Sequence, residues 1–127
     1  MKIDTRSHIP IYLQIADGIR VEVAAGVYLP GEAIPTLKAM SLDVQVNPNT
    51  VQKAYDELAR EGVIYSRRGK GLIVAEKGKA LAQTGARQSV QRAIRAGIRG
   101  GRAAGMSVKE LRSVFAAALD DSSKKGV

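Results

Sequence analysis

Apolar residues recur at helical spacing twice within the first 45 residues of the chain. The segment PIYLQIADGIRVEVAAG carries branched apolar residues at steps of four, which predicts a helix that ends at Gly26. These residues are Ile11, Ile15, Ile19 and Val23. The segment TLKAMSLDVQ predicts a second, shorter helix with Thr36 as its N-cap. Its inward residues are expected to be Leu37, Met40, Ser41 and Val44.

A third helical pattern, VNPNTVQKAYDELAREG, begins with a polar first turn. Asn47 suits the N-cap, Pro48 the first helical position and Gly62 the end of the helix. A single buried stripe is expected at Val51, Ala54, Tyr55 and Leu58. That stripe leaves amide and hydroxyl groups exposed at Asn49, Thr50 and Gln52. Such side chains can hydrogen-bond to base edges in the major groove of DNA, although a polar first turn is also common on any solvated helix.

The second and third helices are joined by a very short turn, which is typical of helix-turn-helix geometry. Two β-rich runs, VIYSR and LIVAE, follow on either side of RGKG and predict a β-hairpin with a basic tip. The stretch YLPGEAIP, with Pro30-Gly31, is expected to be a turn-rich connector. The predicted fold is therefore mainly α with a small β-hairpin: a winged helix-turn-helix over residues 1–77, followed by a short C-terminal α-helical dimerisation hairpin over residues 78–127.

The last part of the chain predicts two further helices. In SVKELRSVFAAALDD, Ser107 and Glu110 are spaced as a capping box. The apolar face that follows comprises Leu111, Val114, Phe115, Ala118 and Leu119. In VQRAIRAGIRGGRAAG, apolar and small residues share a second face, at Val90, Ala93, Ile94, Gly97, Ile98 and Gly101. Each interior glycine costs a helix about 1 kcal/mol relative to alanine, so this helix is expected to be stabilised by association with a second copy of the chain.

Basic residues are concentrated in the second part of the chain. The net charge is +8, with 20 basic and 12 acidic residues. Residues 1–78 hold 10 basic and 9 acidic side chains, a net +1, whereas residues 79–127 hold 10 basic and 3 acidic, a net +7. This balance favours a polyanionic partner, with nucleic acid first and an anionic membrane surface second. The change of composition falls at EKGKALAQTGARQS, which reads as a linker or a loosely structured entry to a second element.

Four arginines form a stripe on the first tail helix, at Arg92, Arg95, Arg99 and Arg102. A solvated helix face is the simplest interpretation of this stripe. Contacts to the DNA backbone outside the operator core, or to an acidic patch on a partner protein, are the more specific ones. A membrane-surface helix is less favoured, because no Trp or Phe accompanies the arginines.

No group of residues in the sequence has the spacing of a catalytic or cofactor site. GKG lacks the phosphate-binding spacing, and the single histidine, His8, has no cysteine or carboxylate cluster around it. We therefore expect neither an enzyme, nor a metal site, nor a bound cofactor. The absence of Cys suits a reducing cytosol, and no apolar run is long enough to span a bilayer, so a cytoplasmic protein is expected.

The segment from PIYLQI to LIVAE resembles the DNA-binding domain of the GntR family of bacterial transcription regulators. PIYLQI, GVYLPGEAIP, NTVQKAYDELAREG and RRGKG follow the order and spacing of that family over roughly residues 9–76. NPNTVQKAY and a tail of about fifty residues resemble the YtrA-like group. In that group the resemblance implies a pair of dimerisation helices in place of a large effector domain.

The resemblance also implies which residues contact DNA. The base-reading arginine of the family corresponds to Lys38, which keeps the charge but lacks the planar fork of arginine. The arginine at the cap of the recognition helix corresponds to Pro48, and the minor-groove position of the wing corresponds to Gly69. An operator that contains A·T pairs would fit the amides better than a guanine-rich one. The predicted DNA-binding set is Thr36, Lys38, Asn47, Asn49, Thr50, Gln52, Lys53, Arg67, Arg68, Gly69 and Lys70.

These observations predict a homodimeric, sequence-specific regulator that represses transcription from an inverted-repeat operator, with the recognition helix in the major groove and the wing in the minor groove. The alternative is an architectural or partitioning DNA-binding protein. The predicted dimer residues are Val90, Ile94, Gly97, Ile98, Gly101, Leu111, Val114, Phe115 and Leu119. The tail is too short to enclose a cavity of roughly 300 Å³ in one protomer, so any small-molecule effector is expected at the dimer interface.

Overall fold

The computed structural model describes residues 1–124. Within these residues the chain forms five helices and one antiparallel strand pair. In chain order these are α1 (Ile11–Ala24), α2 (Leu37–Val44), α3 (Pro48–Arg60), β1 (Ile64–Arg67), β2 (Gly71–Val74), α4 (Gly78–Ala103) and α5 (Val108–Lys124). They belong to two compact units, Met1–Ser89 and Val90–Val127. The boundary between the units falls within α4.

The core of the first unit lies between α1 and α3. Ile15, Ile19 and Val23 on α1 are buried, as are the four stripe residues of α3. Full burial of an aliphatic side chain of this size contributes about 1.5–3 kcal/mol. The predicted stripes of both helices are confirmed, because their spacing of three and four places every member on one face.

The turn between α2 and α3 is short and closed by hydrogen bonds. Gln45 adopts a left-handed backbone conformation with φ of 54°, and the Val46 N–H donates to the Ser41 carbonyl at 3.1 Å. The Ser41 hydroxyl donates to the Val46 carbonyl at 2.5 Å. The Tyr55 hydroxyl on α3 donates to the Pro35 carbonyl, just before α2, at 2.9 Å. These bonds fix the start of α2 against α3, which gives the predicted helix-turn-helix.

The predicted hairpin is present, and the connector between α1 and α2 pairs with β2 through an isolated bridge between Ala33 and Ile73, which the sequence analysis missed. β1 and β2 pair antiparallel, with Ile64 opposite Val74 and Arg67 opposite Gly71. The connector between α1 and α2 runs along the other edge of β2. The Gly31 N–H donates to the Val74 carbonyl, and the Ile34 N–H donates to the Leu72 carbonyl, both at 2.9 Å. The predicted connector therefore anchors the wing to the core.

Residues 78–89, expected as part of a linker, are helical and packed, so the linker prediction is wrong for this stretch. Ala82 is fully buried, and Gly78 and Gly85 are also buried. A Cβ on Gly78 would lie 2.7 Å from the Val63 carbonyl oxygen, so only glycine permits this close packing. The small residues that resemble linker composition are the ones that let α4 approach the winged unit.

A buried arginine lies under this part of α4. Arg20 is 3% exposed, its Nε donates to Glu61 Oε1 at 2.9 Å, and it forms a salt bridge with Asp17. Burial opposes the charge of Arg20, but the hydrogen bond and charge of Glu61 outweigh burial and raise its pKa. The Ser89 hydroxyl donates to Asp17 Oδ2 at 2.7 Å. This network connects α1, the end of α3 and the first half of α4.

In the second unit, the end of α4 and the start of α5 contact each other near the turn between them. The predicted capping box is confirmed: the Glu110 N–H donates to Ser107 Oγ, and the Ser107 N–H donates to Glu110 Oε1, each at 3.1 Å. Leu111 is 8% exposed because it packs on Gly101, where a Cβ would lie 2.6 Å from Leu111 Cδ2. The contact between Gly101 and Leu111 therefore lies within one chain.

Candidate nucleic-acid interface

The first turn of α3 presents polar side chains to solvent. Asn47 Oδ1 accepts a hydrogen bond from the Asn49 N–H at 2.8 Å, which confirms Asn47 as the N-cap, and Pro48 occupies the first turn. Asn49 and Gln52 are exposed, while Thr50 is half-buried. The buried stripe of α3 holds this turn at the surface, so its amides are available to a partner.

The three amides of this turn differ in how far they are already engaged. Asn47 uses its oxygen for the cap, which leaves its Nδ2 group. The capping bond takes the backbone N–H of Asn49, so the side-chain amide of Asn49 plays no part in it. Gln52 Nε2 donates to Asp56 Oδ1 at 2.7 Å, which uses one of its two N–H groups and fixes the amide toward Asp56. Asn49 is therefore the amide best placed for direct contact with a base.

Lys53 is exposed, and its ammonium group lies against Tyr12 of α1. Its Nζ lies 4.1 Å from the centre of the Tyr12 ring, within the range of a cation–π contact. At the start of α2, Thr36 Oγ1 accepts a hydrogen bond from the Ala39 N–H at 3.1 Å, which confirms Thr36 as its cap. Lys38 is exposed on the same turn. The sequence pattern does not predict the contact with Tyr12, because nothing in it indicates that these two side chains meet.

The tip of the wing is basic and exposed. Arg67, Arg68 and Lys70 are solvent-accessible, and the Lys70 N–H donates to the Arg67 carbonyl at 2.9 Å. Gly69 has a φ of +79°, a left-handed conformation that glycine adopts without strain. Nothing lies within 4 Å of a Cβ built on Gly69. The tip is thus free to approach a partner closely.

The predicted dimer residues fall into two groups in a single chain. Gly101 and Leu111 contact each other, and Phe115 is half-buried. Several large apolar side chains remain exposed: Val90 (58%), Ile94 (42%), Ile98 (39%), Val114 (54%) and Leu119 (70%). Gly97 has nothing within 4 Å of a built Cβ. The second group is the part of the predicted set that the described residues of one chain leave exposed.

In residues 1–124 no group of three His, Asp or Glu side chains is placed to hold a metal ion. None of the helices described there is long and apolar enough to cross a membrane.

A short-turned helix pair with an exposed polar second helix and a basic hairpin defines the class of winged helix-turn-helix DNA-binding proteins. Residues 11–74 match the model of the bacterial regulatory proteins of the gntR family. The chain therefore belongs to the GntR family.

Two relatives from Bacillus subtilis are similar to the winged part of the chain. The HTH-type transcriptional regulator YhcF is 43% identical over 72 residues, which cover 57% of this chain and 60% of YhcF. The HTH-type transcriptional repressor YtrA is 40% identical over 79 residues, which cover 62% of this chain and 61% of YtrA. The matched segment thus spans about three-fifths of each relative.

Solved structures extend the similarity to the tail. YtrA from Sulfolobus acidocaldarius, a GntR-family transcription factor, is 28% identical with a TM-score of 0.57, over 95% of this chain and 97% of that one. The DNA-binding domain of AraR in complex with operator ORE1 is 30% identical with a TM-score of 0.52, over 57% of this chain and 89% of that one. The mainly helical winged fold and the family predicted from the sequence are confirmed.

Proposed function

We propose that this chain is a homodimeric repressor that binds an inverted-repeat operator, with α3 in the major groove and the β1–β2 wing in the minor groove. The observation that carries the proposal is the first turn of α3, whose amides are exposed while the rest of the helix is fixed by its buried stripe. In helix-turn-helix proteins this end of the second helix contacts base edges. The operator complex of the AraR domain supports the same partner.

Within this proposal, Asn49 reads a base directly. An asparagine amide can accept from adenine N6 and donate to N7 at once, and one such pair is worth about 1–3 kcal/mol of discrimination. Gln52 makes a similar contact after it leaves Asp56. With Lys38 and Pro48 in place of arginines, guanine readout is weaker, and we propose an operator that contains A·T pairs. Thr36, Asn47, Thr50 and Lys53 complete the proposed contacts of the two helices.

The wing supplies contacts in the minor groove. Arg67, Arg68 and Lys70 surround Gly69, which has no side chain to keep the backbone away from DNA. A narrow minor groove has an enhanced negative potential that attracts arginine. We propose that Arg68 enters the groove or contacts its phosphates.

Dimerisation is proposed through the uncovered apolar residues of the tail. Ile94 and Ile98 on α4 and Val114 and Leu119 on α5 are exposed in one chain, and a second copy would bury them. Two linked winged domains bind an inverted repeat more tightly than either alone, because the second contact becomes intramolecular. An effector, if one regulates the protein, binds at this dimer interface. The proposed location of the protein is the cytoplasm.

The boundary of the dimerisation segment is testable by truncation after Ser89. The truncated chain, residues 1–89, keeps Ala82 and the Arg20 network intact. Truncation at Glu76 would instead remove packed residues of the winged unit. We expect the 1–89 chain to sediment as a monomer and to lose most of its preference for two half-sites over one. A dimer of the 1–89 chain at matched concentration would place the interface in the winged unit instead.

The direct test of the function is selection of bound duplexes from a random pool by the full-length chain. The proposal predicts one enriched inverted repeat, and a reporter driven by a promoter that overlaps this repeat should be repressed when the protein is present. Enrichment without repression would leave the architectural or partitioning alternative. Failure to enrich any sequence would contradict operator recognition.

A further inference from the structure

The second half of α4 lies in an extended stretch of one charge sign. Residues 77–109 contain eight basic and no acidic side chains. Four of the eight are the stripe arginines of α4: Arg92, Arg95, Arg99 and Arg102. At 100° per residue they fall within an arc of about 80°, and the rise from the first to the last is about 15 Å. We call this surface the arginine face.

The arginine face lies on the side of α4 away from its apolar residues. The arginine positions are centred about 120° around the helix from those of Val90, Ile94 and Ile98. A second copy that covers the apolar residues therefore leaves the arginines accessible. All four are exposed in the single chain. The two faces can be occupied at the same time by different partners.

Among residues 1–124, no salt bridge neutralises the guanidinium groups of this face. The salt bridges of these residues involve Arg20 and Arg60, both in the first unit. Arg102 Nη1 donates to the Met106 carbonyl at 3.2 Å, so Arg102 is partly engaged at the end of α4. The guanidinium groups of Arg92, Arg95 and Arg99 are available to bind an anion.

The composition of the face distinguishes between polyanionic partners. The residues beside the arginines are small or polar, such as Gln91, Ala96 and Ala103. Protein interfaces have cores enriched in aromatic and apolar residues, and membrane-surface helices insert Trp, Phe or Leu beside their basic residues. A phosphate backbone requires charge and hydrogen-bond donors without an apolar partner. The arginine face therefore favours nucleic acid.

We propose that Arg92, Arg95 and Arg99 bind backbone phosphates of the DNA that carries the operator, outside the base pairs covered by α3 and the wing. This inference rests on the proposed function. The 15 Å rise of the face equals the axial rise of about four nucleotides of one strand, at 3.4 Å each. Such contacts add affinity without sequence preference, so they make binding depend on the length of the DNA flanking the operator.

The test uses the full-length protein and two duplexes, the selected operator alone and the operator extended by one helical turn, about 10 base pairs, on each side. The variant is Arg92→Gln/Arg99→Gln. The control, Lys109→Gln/Arg112→Gln, removes the same charge from exposed residues of α5. We expect the wild type and the control to bind the long duplex more tightly. The variant should lose this increment, and its slope of log K against log salt on the long duplex should fall by roughly 2.

Five results would overturn the inference. The tighter binding of the long duplex could be absent in the wild type, persist in the variant or be lost equally in the control. The variant could instead sediment as a monomer, which would assign the arginines to contacts between copies. The wild type could also bind anionic lipid vesicles. If the variant lost this binding but still bound the long duplex more tightly than the short one, the face would be assigned to a membrane. Equal binding of operator and random short duplexes by the wild type would instead overturn the proposed function, and this comparison does not depend on flank length.

Discussion

Substitution of the two open glycines of α4 separates helix propensity from association with a second copy. Gly97 shares the face of Ile94 and Ile98, whereas Gly100 lies about 60° farther around the helix. Apart from the adjacent residues and the neighbouring helix backbone, no atom of the described residues lies within 4 Å of a Cβ built on either residue. Alanine therefore fits at both positions in one chain, and each change should stabilise the isolated helix by about 1 kcal/mol.

The expected effects on the dimer differ between the two positions. If a second copy packs closely at Gly97, the added methyl overpacks the interface at a cost of about 1–3 kcal/mol. That cost corresponds to a dimer dissociation constant raised by about fivefold to 150-fold. Gly100→Ala should leave the dissociation constant unchanged, or lower it if α4 completes its folding on association.

Sedimentation equilibrium of the two variants and the wild type over a range of concentrations measures these constants. Far-UV circular dichroism on the same samples checks that both variants are at least as helical as the wild type. The reasoning predicts a weaker dimer for Gly97→Ala alone. Equal strengthening of the dimer by both substitutions would refute a close approach at Gly97.

Three further changes probe other parts of the structure. Gly85→Ala places a Cβ 2.8 Å from Arg20 Cδ, so overpacking should lower the free energy of unfolding by about 1–3 kcal/mol in urea denaturation; an unchanged midpoint would contradict the close packing of α4. Arg68→Ala should reduce the slope of log K against log salt for operator binding by roughly 1, with Lys109→Ala as the control; an unchanged slope would place Arg68 away from phosphates. Ser107→Ala removes the α5 cap, at about 1 kcal/mol. The Ser107 N–H and, to a smaller extent, the Ser107 hydroxyl lower the pKa of Glu110, so wild-type helicity should fall as the pH drops through that lowered value. The variant keeps the N–H but loses the hydroxyl, so it should show a smaller change.

The elements that the sequence predicts well are those with strong periodicity and local stop signals. α1 and α3 bury the residues expected from their spacing, and the caps at Thr36, Asn47 and Ser107 form as predicted. These features depend on residues within one or two turns of each other. Local chemistry is therefore sufficient to fix them.

The features that the sequence analysis missed depend on contacts between distant residues. Residues 78–89 have the composition of a linker, and their helical packing follows from the space that Gly78 and Gly85 leave for Val63 and the Arg20 network. The buried state of Arg20 depends on Glu61, which lies 41 residues away along the chain. Periodicity alone cannot reveal a charge partner at that separation.

In the candidate DNA-binding site, too, some features could be predicted from local pattern and others could not. The exposed position of Asn49 follows from the stripe of α3 and could be predicted. Two contacts could not be predicted: the hydrogen bond from Gln52 to Asp56, at 2.7 Å, and the contact of Lys53 with the Tyr12 ring. The sequence leaves several possible partners for each of these side chains. These contacts change which residue is expected to dominate base recognition, and they single out Asn49.

The central claim is that the first turn of α3 reads DNA sequence, and the affinity of Asn49→Ala for operator and random duplexes at one salt concentration tests it most directly. The side chain of Asn49 is exposed and does not form the cap, so its removal should leave folding intact. Gln83→Ala, an exposed amide on α4, serves as the control. We predict a loss of about 1–3 kcal/mol on the operator and a much smaller loss on random DNA. Equal losses on the two duplexes, or no loss on the operator, would contradict sequence readout by α3.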